Sequence, residues 1–191
     1  IVHYTKGGFT MVKYMRHIIF ALAALTGLAT VSLVTNDKLR DLRIKKDAVP
    51  YQFVTVKDRE RQLYCMTKNI YYEAGGEPAE GKLAVAQVVL NRVESGQFAD
   101  DPCKVIYQKN IVYNKVICQF SWLCEDIHKT RPVHQKLWDE SYEAAKMVLL
   151  EGFRLPALKE AMYFHADYIN PPQWKKVRVA KIGRHIFYKD A

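Results

Sequence analysis

The residues most able to do chemistry lie in one short stretch, Ile70-Tyr71-Tyr72-Glu73-Ala74-Gly75-Gly76-Glu77-Pro78. It is an apolar, helix-compatible run that delivers one carboxylate, Glu73, and then stops. Gly75-Gly76 is expected to end the helix by way of a left-handed conformation. Pro78 suits the first turn of a second helix, where its missing N–H costs nothing. The spacing thus predicts a helix–elbow–helix with Glu73 at the C-terminal end of the first helix. Tyrosines that restrict water and the negative end of the helix dipole both favour a protonated carboxyl there. A carboxylic acid that keeps its proton near neutral pH is the general acid that glycosidic cleavage needs. Helices also end in Glu-x-Gly for structural reasons, so spacing alone leaves Glu73 as either an acid or an elbow cap.

Four cysteines, Cys65, Cys103, Cys118 and Cys124, form an even set. In an oxidising compartment they predict two disulfides. Three pairings are possible; Cys118–Cys124, pinning the loop that carries Trp122, with Cys65–Cys103 is the favoured one. No C-x-x-C pair and no H-E-x-x-H occurs, so the sequence offers no standard zinc signature, and no metal site is expected. His165 and His185 sit in two strand candidates of one small sheet and are expected to face a common cleft.

The elements that must hold these groups follow from the rest of the chain. A formal charge of +9 and a pI near 9.3 point to an anionic partner. No arginine-rich run, zinc-finger spacing or RNA-binding aromatic signature supports nucleic acid. Residues 1–35 hold a basic segment, with Lys13 and Arg16, followed by an apolar run over 18–34; residues 1–10 read as upstream sequence. That run is at the lower limit for crossing a bilayer and is diluted by alanine, glycine, serine and threonine. A cleaved signal peptide, an uncleaved anchor and a buried helix compete for it. The basic flank favours an anchor in the inner membrane with the remainder outside the cytoplasm, in the periplasm or cell wall. Residues 36–57 read as a charged linker, and 58–191 as the catalytic domain. There Asp58 is the expected cap of a helix whose Leu63, Met66, Ile70 and Ala74 share a face. Glu77–Val93 reads as a helix apolar all round, ended at Ser95-Gly96. Asp101-Pro102 opens a short helix. Residues 108–131 read as irregular, and Pro132–Leu150 as an amphipathic helix with Val133 on its inner face. Ala161–His165, Val177–Lys181 and His185–Tyr188 read as strands. The fold class is α+β, mostly helical with a small C-terminal antiparallel sheet.

Taken together these motifs resemble the cell wall hydrolases of the SleB/CwlJ type, which include spore cortex-lytic enzymes and phage and bacterial wall hydrolases. The resemblance runs from the Glu73 stretch through Glu80-Gly81, Ala84-Val85-Ala86 and Asn91-Arg92-Val93. It continues through Cys118-Gln119-Phe120-Ser121-Trp122, Cys124, Ala161–Ala166, Pro172-Gln173-Trp174 and Ile182–Tyr188. It implies a lysozyme-like domain that acts on peptidoglycan, with Glu73 as the catalytic acid. The family usually carries arginine before the second glycine of the elbow; Gly75 stands there instead, which removes any elbow ion pair from that position, for instance to Glu77.

Since only Glu73 is placed with conviction, a one-acid mechanism of the lytic transglycosylase or muramidase type is expected, with no cofactor. Gln119, Ser121 and Tyr163 are candidates for orienting the sugar, with His165 and His185 behind them. Trp122 and Trp174 offer apolar faces to sugar rings. The alternatives are a zinc-dependent N-acetylmuramoyl-L-alanine amidase, using His165 and His185 with a third ligand, and a non-catalytic wall-binding or anchored protein. The diluted N-terminal run also resembles the signal-arrest-release segments of some phage endolysins.

Overall fold

Thr55, three residues before the expected cap, opens the first helix of the domain: its hydroxyl accepts from Asp58 N at 3.0 Å. Asp58 instead sits in the first turn, pairing with Arg61 at 2.9 Å. In this computed structural model the described residues are 15, 51–126, 132–170, 173 and 175–191. The basic segment and apolar run of residues 1–35, most of the 36–57 linker, and Trp174 therefore lie outside the description. No described helix is long and apolar enough to cross a membrane. All elements below belong to the unit Ala48–Ala191.

Helix α1 spans Val56–Ala74 and buries Leu63, Met66, Ile70 and Ala74, the predicted stripe. Helix α2, Ala79–Ser95, is buried at every position from Gly81 to Arg92. It is the centre of the core, as its unbroken apolar run requires. Its polar residues are spent on neighbouring backbone. Gln87 exchanges two hydrogen bonds with Leu155, and Asn91 Nδ2 donates to Leu158 O and Ala161 O, both at 2.7 Å. Gly96, at φ 68°, closes the helix. Helix α3, Pro102–Ile106, starts at Asp101, whose carboxylate accepts from Lys104 N at 2.7 Å.

Helix α4 is Gln135–Leu149 and packs Ala144, Ala145, Val148 and Leu149 against α1 and α2. Val133 precedes it and is exposed rather than on an inner face. Helical spacing extended upstream mistook a residue of the lead-in for part of the stripe.

The stretch expected to be irregular contains a hairpin, β1 (Lys109–Val112) and β2 (Lys115–Cys118), turned through Tyr113-Asn114, both at positive φ. The C-terminal strands are β3 (Tyr163–Ala166), β4 (Lys176–Ile182) and β5 (His185–Asp190), antiparallel in the order β3-β5-β4. Phe187 is fully buried against Ala84, Val88, Leu158 and Ala161, which seats this sheet on α2. Both disulfides, Cys65–Cys103 and Cys118–Cys124, are formed. The first ties α1 to α3, and the second ties β2 to the residue after the 3-10 turn Ser121–Leu123.

Candidate active site

Glu73 is the penultimate residue of α1 and the elbow that follows it is held from three sides. Glu77 N donates to Ala74 O at 2.9 Å. The buried Lys82 of α2 donates to Glu77 O at 2.6 Å and pairs with Glu140 of α4 at 3.0 Å. The Glu77 carboxylate accepts from Arg184 N, in the β4–β5 turn, at 2.9 Å. A backbone amide from the far end of the domain thus holds the Glu77 carboxylate. Gly75 is right-handed, at φ −57°, so the expected left-handed ending is not what happens. Gly75 is needed for space: a Cβ there would drive into the Tyr71 carbonyl oxygen. Gly183, at φ 55°, is needed on both counts, since its Cβ would also strike the Glu77 carboxylate.

The elbow presents Glu73 to a cleft of about 510 Å³. Gln119, Ser121 and Trp122 line it from the disulfide-closed segment, and His165 and His185 from β3 and β5. Five of the seven expected substrate-binding residues therefore line the same cleft as Glu73. Tyr163 is not among the lining residues; its hydroxyl donates to Asp190 and Lys176 stands over its ring. Trp122 contributes a wall more than an open platform. It is 5% exposed, its ring stacks on Tyr72 at 4.9 Å, and its Nε1 donates to the buried Asn69 at 3.0 Å.

Glu73 remains partly exposed as a residue, yet its carboxyl is crowded by protein. Burial pushes its pKa up to about 7, Glu125 adds to the rise, and Arg92 opposes it. A carboxyl poised near neutrality can both give and take a proton at that pH. Burial lowers the pKa of His185, and its Nδ1 meets no hydrogen-bond partner among the described residues. His165 Nδ1 donates to Ala166 O at 2.8 Å, so Nε2 accepts from Tyr188 Oη at 2.9 Å.

Two charged lining residues, Arg92 and Glu125, were not expected. Arg92 is 4% exposed, its guanidinium lying 5.3 Å from Phe98 and 5.2 Å from Phe120. Its Nε donates to Met162 O at 2.7 Å. With the Gln119 amide oxygen turned toward it, Nη1 and Nη2 donate at 2.9 and 3.3 Å, which fixes that amide's orientation. An arginine inside a helix apolar on all sides was the available signal, because a buried cation needs partners. Glu125, exposed at the rim, carried no signal at all.

The Cell Wall Hydrolase family model matches residues 76–188, beginning three residues after Glu73. The spore cortex-lytic enzyme of Oceanobacillus iheyensis is 28% identical over 133 residues, 68% of this chain and 42% of that protein. That of Bacillus subtilis is 27% identical over 125 residues, 64% of this chain and 35% of that protein. The chain thus spans less than half the length of these relatives. Among solved structures, the catalytic domain of the germination-specific lytic transglycosylase SleB from Bacillus anthracis superposes with a TM-score of 0.52 at 25% identity. It covers 74% of this chain and all of that domain. The lysozyme-like α+β arrangement of helices around α2, with the small sheet on one side, is common to both. With more than half of its residues matched, over a span that starts at Gly76 and includes the disulfide-closed segment and both histidine strands, the chain belongs to the cell wall hydrolase family.

Proposed function

We propose that this chain cleaves the glycan strand of peptidoglycan as a lytic transglycosylase, with Glu73 as its single acid and base. The observation that carries this reading is a carboxyl held near pKa 7 at the edge of a cleft lined by hydrogen-bonding side chains. Glu73 gives its proton to the glycosidic oxygen as that bond to the muramyl C1 breaks. The substrate's N-acetyl oxygen shields the developing charge on C1. The Glu73 carboxylate then takes the proton of the muramyl 6-hydroxyl as that oxygen bonds to C1, which leaves an anhydro end and restores the acid. Arg92 supports the charged interval, because a fixed cation behind the carboxylate limits the cost of ionising it. Gln119, with its oxygen held by Arg92, directs its NH₂ group as a donor to a sugar oxygen. His185 Nδ1 and Ser121 are further candidates for the substrate's hydroxyl and acetamido groups. The printed title of the similar Bacillus anthracis domain, a lytic transglycosylase, supports the same chemistry.

The substrate places the working enzyme outside the cytoplasm, in the periplasm or cell wall, and two disulfides suit that compartment. The apolar run of residues 18–34 is the proposed inner-membrane anchor or export signal. No observation favours the zinc amidase: both ring nitrogens of His165 are engaged, and among the described residues no three His, Cys, Asp or Glu side chains are grouped to ligate a metal.

Mass spectrometry of a muropeptide digest tests the reading. Anhydromuramyl ends are expected from the wild type and none from Glu73→Gln, with the fold unchanged. Free stem peptides, or full activity in the variant, would overturn it.

A further inference from the structure

Glu73 lines two depressions, not one. Besides the main cleft, Glu73 lines a separate groove of about 250 Å³, bounded by Ala74-Gly75-Gly76, Tyr71, Tyr72 and Leu137. Tyr72 and Glu73 form the ridge shared by both. The groove has a bare floor: Gly76 is exposed and a Cβ there would meet nothing within 4 Å. Its second carboxylate, Glu77, is already committed to Arg184 N. From its wall a row of rings leads away along the α1–α4 surface. Tyr71 lies 5.7 Å from Trp138, and Trp138 lies 5.8 Å from Tyr64. Packing of α1 on α4 accounts for part of this row, but it does not account for Tyr64 being 55% exposed at its end. Tyr71 is held in place where its hydroxyl accepts from His134 N at 3.0 Å.

We propose that this groove is a second saccharide subsite, and that Tyr71, Trp138 and Tyr64 continue it as a track for the glycan strand. The inference rests on the proposed glycosidic cleavage. A bond that breaks over Glu73 has a sugar on each side, and the two depressions meet at that residue. The chemistry of the groove fits an uncharged pyranose: tyrosine and tryptophan offer apolar faces to the C–H side of a sugar, with phenol hydroxyls at the edge. A bare glycine floor lets a ring approach the backbone closely.

The test uses the full chain carrying Glu73→Gln, so that substrate is bound and not consumed. Its affinity for peptide-free glycan strands of increasing length is measured by calorimetry, alone and with Gly76→Phe or Tyr64→Ala added. Gly76→Phe puts a ring into the open groove at a position with no positive φ and no clash at Cβ. It should weaken binding on the order of tenfold, the loss of one well-stacked ring. Tyr64→Ala alters an exposed residue and keeps the test readable if Gly76→Phe fails to fold. It should leave the shortest strands bound as before and abolish the gain in affinity with length. Unchanged affinity at every length in both variants would overturn the proposal, while anhydro ends from the wild-type enzyme would leave the catalytic reading standing. A wild type that binds long strands in a Gly76- and Tyr64-dependent way but cleaves nothing would do the reverse.

Discussion

Replacing Glu73 by glutamine should make the fold less sensitive to alkali, by an amount the site itself sets. An ordinary glutamate loses its proton near 4.5, and this one near 7. The gap of about 2.5 pH units, at about 1.36 kcal/mol per unit, puts the cost of ionising the buried carboxyl at about 3 kcal/mol. The folded state holds the proton more tightly than the unfolded chain does. The wild type therefore keeps its full stability below about pH 4.5, loses it as pH rises toward 7, and levels off above that. Glutamine is neutral throughout and does not pass through this window. Urea unfolding of both proteins, followed by tryptophan fluorescence at about pH 4 and about pH 8, isolates the effect, because every other titrating group is common to the two. The variant should gain about 3 kcal/mol on the wild type between the two conditions. Parallel pH dependence would refute the argument that desolvation raises this carboxyl, and with it the physical basis for calling Glu73 the acid.

Further outcomes follow from the same structure at Arg92, at the two disulfides and at Gly183. Arg92→Gln removes the cation that opposes the rise in Glu73, so the alkaline limb of a pH–rate profile should move to higher pH. Arg92→Lys keeps the charge but loses the fork to Gln119, and should lower kcat about tenfold with the limb unmoved. Replacing both Cys65 and Cys103 by alanine should cost about 4 kcal/mol in denaturant unfolding, from the 38-residue separation they close. The Cys118 and Cys124 pair, closing 6, should cost about 2 kcal/mol there while depressing activity more, because Gln119, Ser121 and Trp122 lie inside its loop. Gly183→Ala, strained at φ 55° and pressed against the Glu77 carboxylate, should lower stability by about 1–3 kcal/mol in thermal unfolding.

What could be read from the residues was what local physics controls. The apolar run of α2 could only be a buried helix, and Asp101-Pro102 could only open one. The stripe Leu63, Met66, Ile70, Ala74 is enough to place Glu73 at a helix end. The elbow was recognised from its glycines but for a different reason, since crowding by the Tyr71 carbonyl depends on how tightly the chain turns. The β1–β2 hairpin escaped notice because its strands are exposed on both faces and so show no alternation of apolar and polar residues. Trp122 read as a sugar platform because nothing in its own neighbourhood foretells Tyr72 stacking on it from fifty residues upstream. Arg92 and Glu125 joined the site through tertiary placement, and only the first left a trace, as a charge inside an apolar helix.

The strand order β3-β5-β4 has a consequence for how the molecule comes into being. β5 is the central strand of its sheet yet follows both of its neighbours in the chain. Before β5 is in place, β3 and β4 have no strand to pair with, and His165 faces no Tyr188. Until His185–Asp190 has docked between them, neither the histidine wall nor the Arg184 clamp on the Glu77 carboxylate is set. Glu73 then stands without the wall that β3 and β5 give its cleft, and it is the docking of the central strand that completes the proposed site.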